Sequence, residues 1–293
     1  MSTSQASEGR PITVLTGSAV SHTRSSSRAA MARASAAHQD TRERFDRLNR
    51  TLQSEVIPRL VRLHEGEPAS LELLDGELGR FVDLLVSGSD GEVNASVDAL
   101  HRRGLSVTQV FTQVLSPAAR LLGERWDDDQ CDFPTVTICL GRLQRLLREW
   151  APAFNRECGG GPNGRSVLLA QHREEQHSFG LSMVAEFFRA DGWSVLGGVG
   201  AAVPDLVARV NREWFDVLGI SIGTDLRVEW LREQVVRARA GSRNPHLLVL
   251  VGGPIFLVKP QLAATIGADA ACEDGSLAPA LCARLLKARQ QAA

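Results

Sequence analysis

Ser166-Val167-Leu168-Leu169-Ala170, then Gln171-His172-Arg173-Glu174-Glu175-Gln176-His177-Ser178-Phe179-Gly180, decides how this chain folds. The first five residues are an apolar run of strand length, and from Leu181 to Ala190 apolar residues recur at helical spacing. A buried strand handing over to a helix through a polar loop is the start of a β-α-β unit. The loop carries an imidazole, His177, two residues after the Glu175 carboxylate and three before Gly180. A metal-ligating histidine needs an acceptor on its second ring nitrogen, which fixes the tautomer and raises ligand basicity. Glu175 is spaced to be that acceptor. Gly180 suits a point where the chain comes close to a bulky planar ligand or turns sharply into the helix.

The alternation continues to the end of the chain. Gly192 to Leu196 is a second strand, Pro204 to Glu213 a helix, and Phe215 to Ile222 a third strand ending at Gly223. A helix over Leu226 to Ala240 precedes a fourth strand, His246 to Val251, which runs into Gly252-Gly253-Pro254. Ala268 to Cys272 is a short fifth strand before a last helix, Leu277 to Arg289. Strands separated by helices imply a parallel, doubly wound sheet, so residues 165–290 are expected to form a Rossmann-like (flavodoxin-like) five-stranded α/β domain. Such sheets bind ligands outside the carboxyl ends of their strands. His177, Ser221 and the pair Gly252 and Gly253 fall at those ends, after strands one, three and four.

This order of motifs resembles the cobalamin-binding domain shared by corrinoid methyltransferases, mutases and cobalamin photoreceptors. Those proteins carry Asp-x-His-x-x-Gly after strand one, Ser-x-Leu after strand three and Gly-Gly after strand four. The resemblance implies that His177 is the lower axial cobalt ligand, displacing the dimethylbenzimidazole base of the cofactor. It implies that Ser221 lines the slot for that base, and that Gly252 and Gly253 let the nucleotide tail lie against the backbone. Two positions depart from the pattern: Glu175 stands where most members have Asp, and Gly223 where the serine motif has Leu. A glutamate still reaches the imidazole, whereas losing the leucine leaves the slot less tightly walled.

Residues 69–157 are expected to form a helical-bundle cap. Leu71 to Trp150 has helical periodicity with breaks near Ser87 to Gly91 and Arg103 to Ser106, giving about four helices. Leu71, Leu74, Leu78, Phe81, Val82 and Leu85 make one apolar stripe, and Val107, Val110, Phe111, Val114, Leu115, Leu121 and Leu122 another. Methyltransferase and photoreceptor modules carry such a cap over the upper face of the corrin, with a Gly-x-x-Trp element near the cobalt. Here that element is Gly123-Glu124-Arg125-Trp126, so the resemblance places Trp126 over the upper axial group; the alternative is a core tryptophan of the bundle. Repressors of the CarH type have a histidine directly after that tryptophan, where this chain has Asp127-Asp128-Asp129, which excludes a bis-histidine switch there. The run from Trp126 to Trp150, with Asp132 to Thr137 and Arg142 to Trp150 within it, looks instead like AerR and PpaA, regulators of photosynthesis genes in purple bacteria. A related domain has been described as binding haem.

That resemblance implies a light-dependent antirepressor rather than an enzyme, binding adenosylcobalamin or hydroxocobalamin and acting on a CrtJ or PpsR type repressor. Two other readings stay open: a corrinoid protein carrying methyl groups for a separate methyltransferase, and a haem-based redox or gas sensor ligated by His177. A net charge of −1 over 293 residues gives no global pull toward DNA, so DNA contact is expected to be indirect, through the repressor. Cys131, Cys139, Cys158, Cys272 and Cys282 contain no Cys-x-x-Cys pair and no disulfide framework. No apolar run approaches about 18 residues and no signal-peptide segment opens the chain, so a cytoplasmic location is expected.

Residues 1–38 are rich in Ser, Ala and Thr, with Arg10, Arg24, Arg28 and Arg33 against Glu8, and are expected to be a disordered basic tail. Residues 39–66 carry Phe45, Leu48, Leu52, Val56, Leu60 and Leu63 at helical intervals, an amphipathic helix that packs on the bundle or meets a partner. Cys158 to Gly164, a glycine-rich linker, is expected to permit hinge motion between cap and sheet.

Overall fold

The computed structural model describes residues 76–175, 178–198 and 203–292. The expectations for 1–38 and 39–66, for Leu71 and Leu74, and for His177 lie outside these residues.

Among the described residues the cap has four consecutive helices. α1, Glu77–Ser87, turns Phe81, Val82 and Leu85 inward. α2, Asp90–Arg102, opens with a capping box: the Ser89 hydroxyl accepts from the Glu92 amide, and the Glu92 carboxylate accepts from the Ser89 amide at 2.7 Å. It buries Val93, Val97 and Leu100. α3 covers residues 107–127 in three continuous pieces, Val107–Gln109, the π-helical Val110–Leu115 and Ser116–Asp127. The wider π turn brings Val110, Phe111, Val114 and Leu115 into the core together. α4, Phe133–Cys158, is capped by Asp132, whose carboxylate accepts from the Thr135 amide at 2.9 Å. It stops at Gly159, a left-handed C-cap with φ 65. The breaks between helices fall where the sequence puts them, and α4 continues past Trp150 by two further turns.

The second layer system is the sheet. β1 (Ser166–Gln171), β2 (Ser194–Gly197), β3 (Val217–Ser221), β4 (Leu248–Gly252) and β5 (Ala270–Cys272) are all parallel, in the order β2-β1-β3-β4-β5. Parallel strands have both faces covered, which is why β1, β3 and β4 are near-continuous apolar runs. The covering helices are α5 (Ser178–Ala190), α6 (Val203–Arg212), α7 (Val228–Gly241) and α10 (Ala278–Ala292). Two short helices after β4, α8 (Pro254–Val258) and α9 (Leu262–Thr265), are too brief to leave a period in the sequence and were not expected. Among the described residues no helix is long and apolar enough to cross a membrane.

One expectation is corrected here. The linker after α4 does not hang free as a hinge. Asn163 donates its amide to the Gly192 carbonyl at 2.9 Å and its side chain to the Asp191 carbonyl at 2.7 Å. A Cβ on Gly160 would collide with the Ala190 carbonyl, so this glycine serves close backbone approach. Along α4 and α5 the two layers interlock: Gln144 donates to the Ser182 hydroxyl at 3.2 Å, and the Phe154 and Phe187 rings meet edge to face at 5.6 Å. Phe179, Met183 and Ala190 of α5 belong to the cap's own core.

Candidate functional site

The strand order reverses between β1 and β3, and the crevice outside their carboxyl ends is where a doubly wound sheet binds its ligand. In register, Gln171 at the end of β1 pairs with Ser221 at the end of β3, and Ser221 with Gly252 at the end of β4. The carboxyl ends of β1, β3 and β4, with Ser221 and Gly252 at two of them, therefore lie side by side at one edge of the sheet.

Glu175 is the best-defined of them. Its residue is 9% exposed, and its Oε2 accepts the Gly223 amide at 2.8 Å. The loop after β1 is thus tied to the loop after β3 through a buried carboxylate, with the Arg227 guanidinium 4.0 Å from the same oxygen. Gly223 acts through its backbone N–H, a role separate from the side-chain departure noted in the sequence. Beneath the loop, Gln171 donates to the Glu175 carbonyl at 3.0 Å, while its buried Oε1 has no hydrogen-bond partner among the described residues. An unsatisfied buried acceptor at a loop base marks a place where a further group belongs.

Ser221 and Gly253 are neighbours. A Cβ on Gly253 would lie 3.0 Å from the Ser221 hydroxyl and would collide with the Ile222 carbonyl, and Gly253 has φ 107. Only glycine fits there, which leaves bare backbone beside Ser221. Gly252, by contrast, has room for a side chain: a Cβ would stand in ordinary contact, 3.5 Å from the Cys272 carbonyl. Gly180 lies in the first turn of α5, exposed, with nothing within 4 Å of an added Cβ. It makes no sharp turn, so of the two roles expected for it only the open approach to a flat ligand survives. Trp126 lies in the last turn of α3, 42% exposed and edge to face with Phe133 at 6.1 Å. It is not a core tryptophan of the bundle.

The sequence missed His172, Arg227 and Trp230. Nδ1 of His172 accepts from the Arg227 guanidinium and from the Glu174 amide, the latter at 3.2 Å. Burial, and then the Arg227 charge beside it, hold the imidazole below its ordinary pKa, which keeps His172 neutral and accepting. Its ring meets Trp230 edge to face at 4.6 Å. No short-range pattern signals this cluster, because Arg227 and Trp230 lie more than fifty residues beyond His172.

A corrinoid fits these residues. They supply a buried acceptor in the loop before His177, glycine-bared backbone after β4 beside a hydroxyl, and an unobstructed first turn of α5. The B12 binding domain family model matches residues 165–281. An uncharacterized 20.5 kDa protein in the bchF-crtJ intergenic region of Rhodobacter capsulatus is 31% identical over 180 residues, covering 61% of this chain and 93% of that protein. The monomethylamine corrinoid protein of Methanosarcina barkeri shares the fold, with a TM-score of 0.60 and 16% identity over 70% of this chain and 96% of that one. The chain belongs to the AerR-like family of B12-binding-domain proteins.

Proposed function

We propose that this protein is a cytoplasmic, cobalamin-binding, light-responsive antirepressor that acts on a CrtJ or PpsR type repressor of photosynthesis genes. The observation that carries the reading is the relative whose name places it between bchF and crtJ, joined to the B12-binding match over the sheet domain.

In this reading His177 would hold the cobalt from below, with Glu175 fixing the tautomer of its imidazole. Ser221 with Gly252 and Gly253 would take the nucleotide tail, and Trp126 of the cap would meet the cofactor from α3. When bound as an alkylcobalamin such as adenosylcobalamin, the cofactor would supply a light-sensitive cobalt–carbon bond. The chain's own part is to relay what happens at the loop. The loop leads directly into α5, and Phe179 in the first turn of α5 already lies in the cap core. Gln144 and Ser182 give a second tie between α4 and α5. A change of state at the ligand moves the equilibrium only by its differential affinity for the two arrangements of these helices. A partner repressor reads the altered cap surface, and DNA is met through that partner.

The test is an absorption spectrum of the purified protein with adenosylcobalamin or hydroxocobalamin, in darkness and after illumination, with His177→Ala alongside. The expected result is a retained corrin spectrum with a histidine-ligated shift, changed by light and lost in the variant. Absence of corrin retention with a Soret band on haem would establish the haem sensor instead. Methyl transfer to a thiol acceptor with a partner enzyme, and no light response, would establish the methyl carrier.

A further inference from the structure

Arg227 ends the 3-10 turn Asp225–Arg227 that follows β3, and it reaches across the switch point to the loop after β1. Its guanidinium meets Nδ1 of His172, lies 3.4 Å from the Glu174 carboxylate and 3.5 Å from the Glu174 carbonyl, and has Nε 4.0 Å from the Glu175 carboxylate. One side chain therefore touches both ends of the turn 172–175. The turn closes on itself where the Glu175 amide donates to the His172 carbonyl at 2.9 Å, and it closes on the β3 loop where the Gly223 amide donates to Glu175 at 2.8 Å. The Arg227 side chain is 24% exposed and that of Glu175 only 5%, so the guanidinium is sheltered and directional rather than a solvated surface charge. A carboxylate this deeply buried needs donors and positive charge around it. Trp230, one turn further along, meets the same His172 ring edge to face at 4.6 Å.

We propose that Arg227 is a positioning residue for the cofactor site: by gripping His172, Glu174 and Glu175 it fixes the segment leading into His177 and keeps the Glu175 carboxylate aimed. The role in ligand affinity rests on the cobalamin reading above. The grip itself belongs to the protein without cofactor. Groups that orient a metal-ligating histidine from outside alter affinity by roughly 10- to 100-fold when removed.

The experiment compares Arg227→Gln, Arg227→Lys and wild type in the full chain. Without cofactor, amide hydrogen exchange at Glu175 and Gly223 is expected to rise at least roughly tenfold in Arg227→Gln, while Leu168 and Ile220 in β1 and β3 stay as in wild type. With hydroxocobalamin, affinity should fall roughly 10- to 100-fold, and the fraction of bound cofactor with histidine-ligated absorption should fall with it. Arg227→Lys, which keeps a cation beside Glu174 and Glu175, should recover part of both. Unchanged exchange at Glu175 and Gly223, or faster exchange with unaltered affinity and spectrum, overturns the proposal. If Arg227→Gln does not fold, His172→Phe carries the same comparison, since it keeps a ring against Trp230 and removes the acceptor; the same results support or overturn. If wild type retains no corrin, the cobalamin reading fails by itself, and the exchange result still decides whether Arg227 grips the loop.

Discussion

Gly253 has a backbone that an L side chain would strain and no space for a methyl group, since the Ile222 carbonyl occupies it. Gly253→Ala is therefore expected to destabilise the protein by about 2–3 kcal/mol, measured as a lowered urea midpoint at constant slope. It should also weaken cobalamin retention, because the strand-end backbone must shift to admit the methyl. Gly252→Ala, with its Cβ in ordinary contact, should cost far less, so the pair of variants separates the two glycines that the sequence treats alike. At this scale the strand-end residues were legible wherever the side chain itself was the signal: a glycine pair, a serine, an acidic residue two before a histidine. Gly223 was not legible in its observed role, because it works through an N–H that almost any residue would provide. Arg227 was not legible either, because its partner His172 is 55 residues away in the chain and nothing local marks the pairing.

Elements formed as their patterns required when they were long enough to repeat a period. The four cap helices and five strands were readable; α8 and α9 span too few residues to be. β4 starts later than its apolar run, because Leu247 is occupied with a turn, its amide donating to the Asn244 carbonyl at 3.1 Å. The π-helical stretch of α3 left no trace in the sequence, since its six residues look like ordinary helix. The start of α3 is held from a distance: the Glu157 carboxylate near the end of α4 accepts from the Val107 amide at 2.7 Å, the Thr108 amide at 2.9 Å and the Thr108 hydroxyl at 2.8 Å. Partial burial raises the Glu157 pKa, but these hydrogen bonds from Thr108 and Val107 outweigh it and hold the carboxyl below its ordinary value of 4.5. A depressed folded value means the ionised group stabilises the fold above about pH 4.5, and that contribution disappears as pH falls through the folded pKa. Glu157→Gln should cost about 1 kcal/mol at pH 7, the size of a lost helix cap at an exposed site. Urea unfolding at pH 7 and pH 3 should show that difference shrinking at the lower pH. A constant difference would mean the charge plays no part.

For the molecule as a whole, the linker composition suggested two bodies joined by a hinge, and the packing joins them instead. Glycines look flexible in a sequence because the same residue serves freedom and tight approach, and only the neighbouring backbone, here Ala190 and Gly192, tells which applies. The joint is aromatic. Phe154 is 2% exposed, stacked on Phe111 at 4.3 Å within the cap and edge to face with Phe187 of the sheet domain at 5.6 Å. The α4 and α5 contact is one route by which a signal from the strand ends would reach the cap, so its stiffness bears on how completely the two parts respond together. Phe154→Ala should cost about 3–5 kcal/mol, the range for emptying a buried aromatic site. Because the cap core takes in α5, wild type is expected to unfold in one transition, with coincident curves from far-ultraviolet dichroism and tryptophan emission. Trp126 and Trp150 report on the cap, and Trp193, Trp214 and Trp230 on the sheet domain. In Phe154→Ala both midpoints should fall together if cap and sheet are one cooperative body. If the cap tryptophans melt earlier while those of the sheet hold their midpoint, the joint does not couple the domains, and relay of a ligand signal through α5 loses its physical basis.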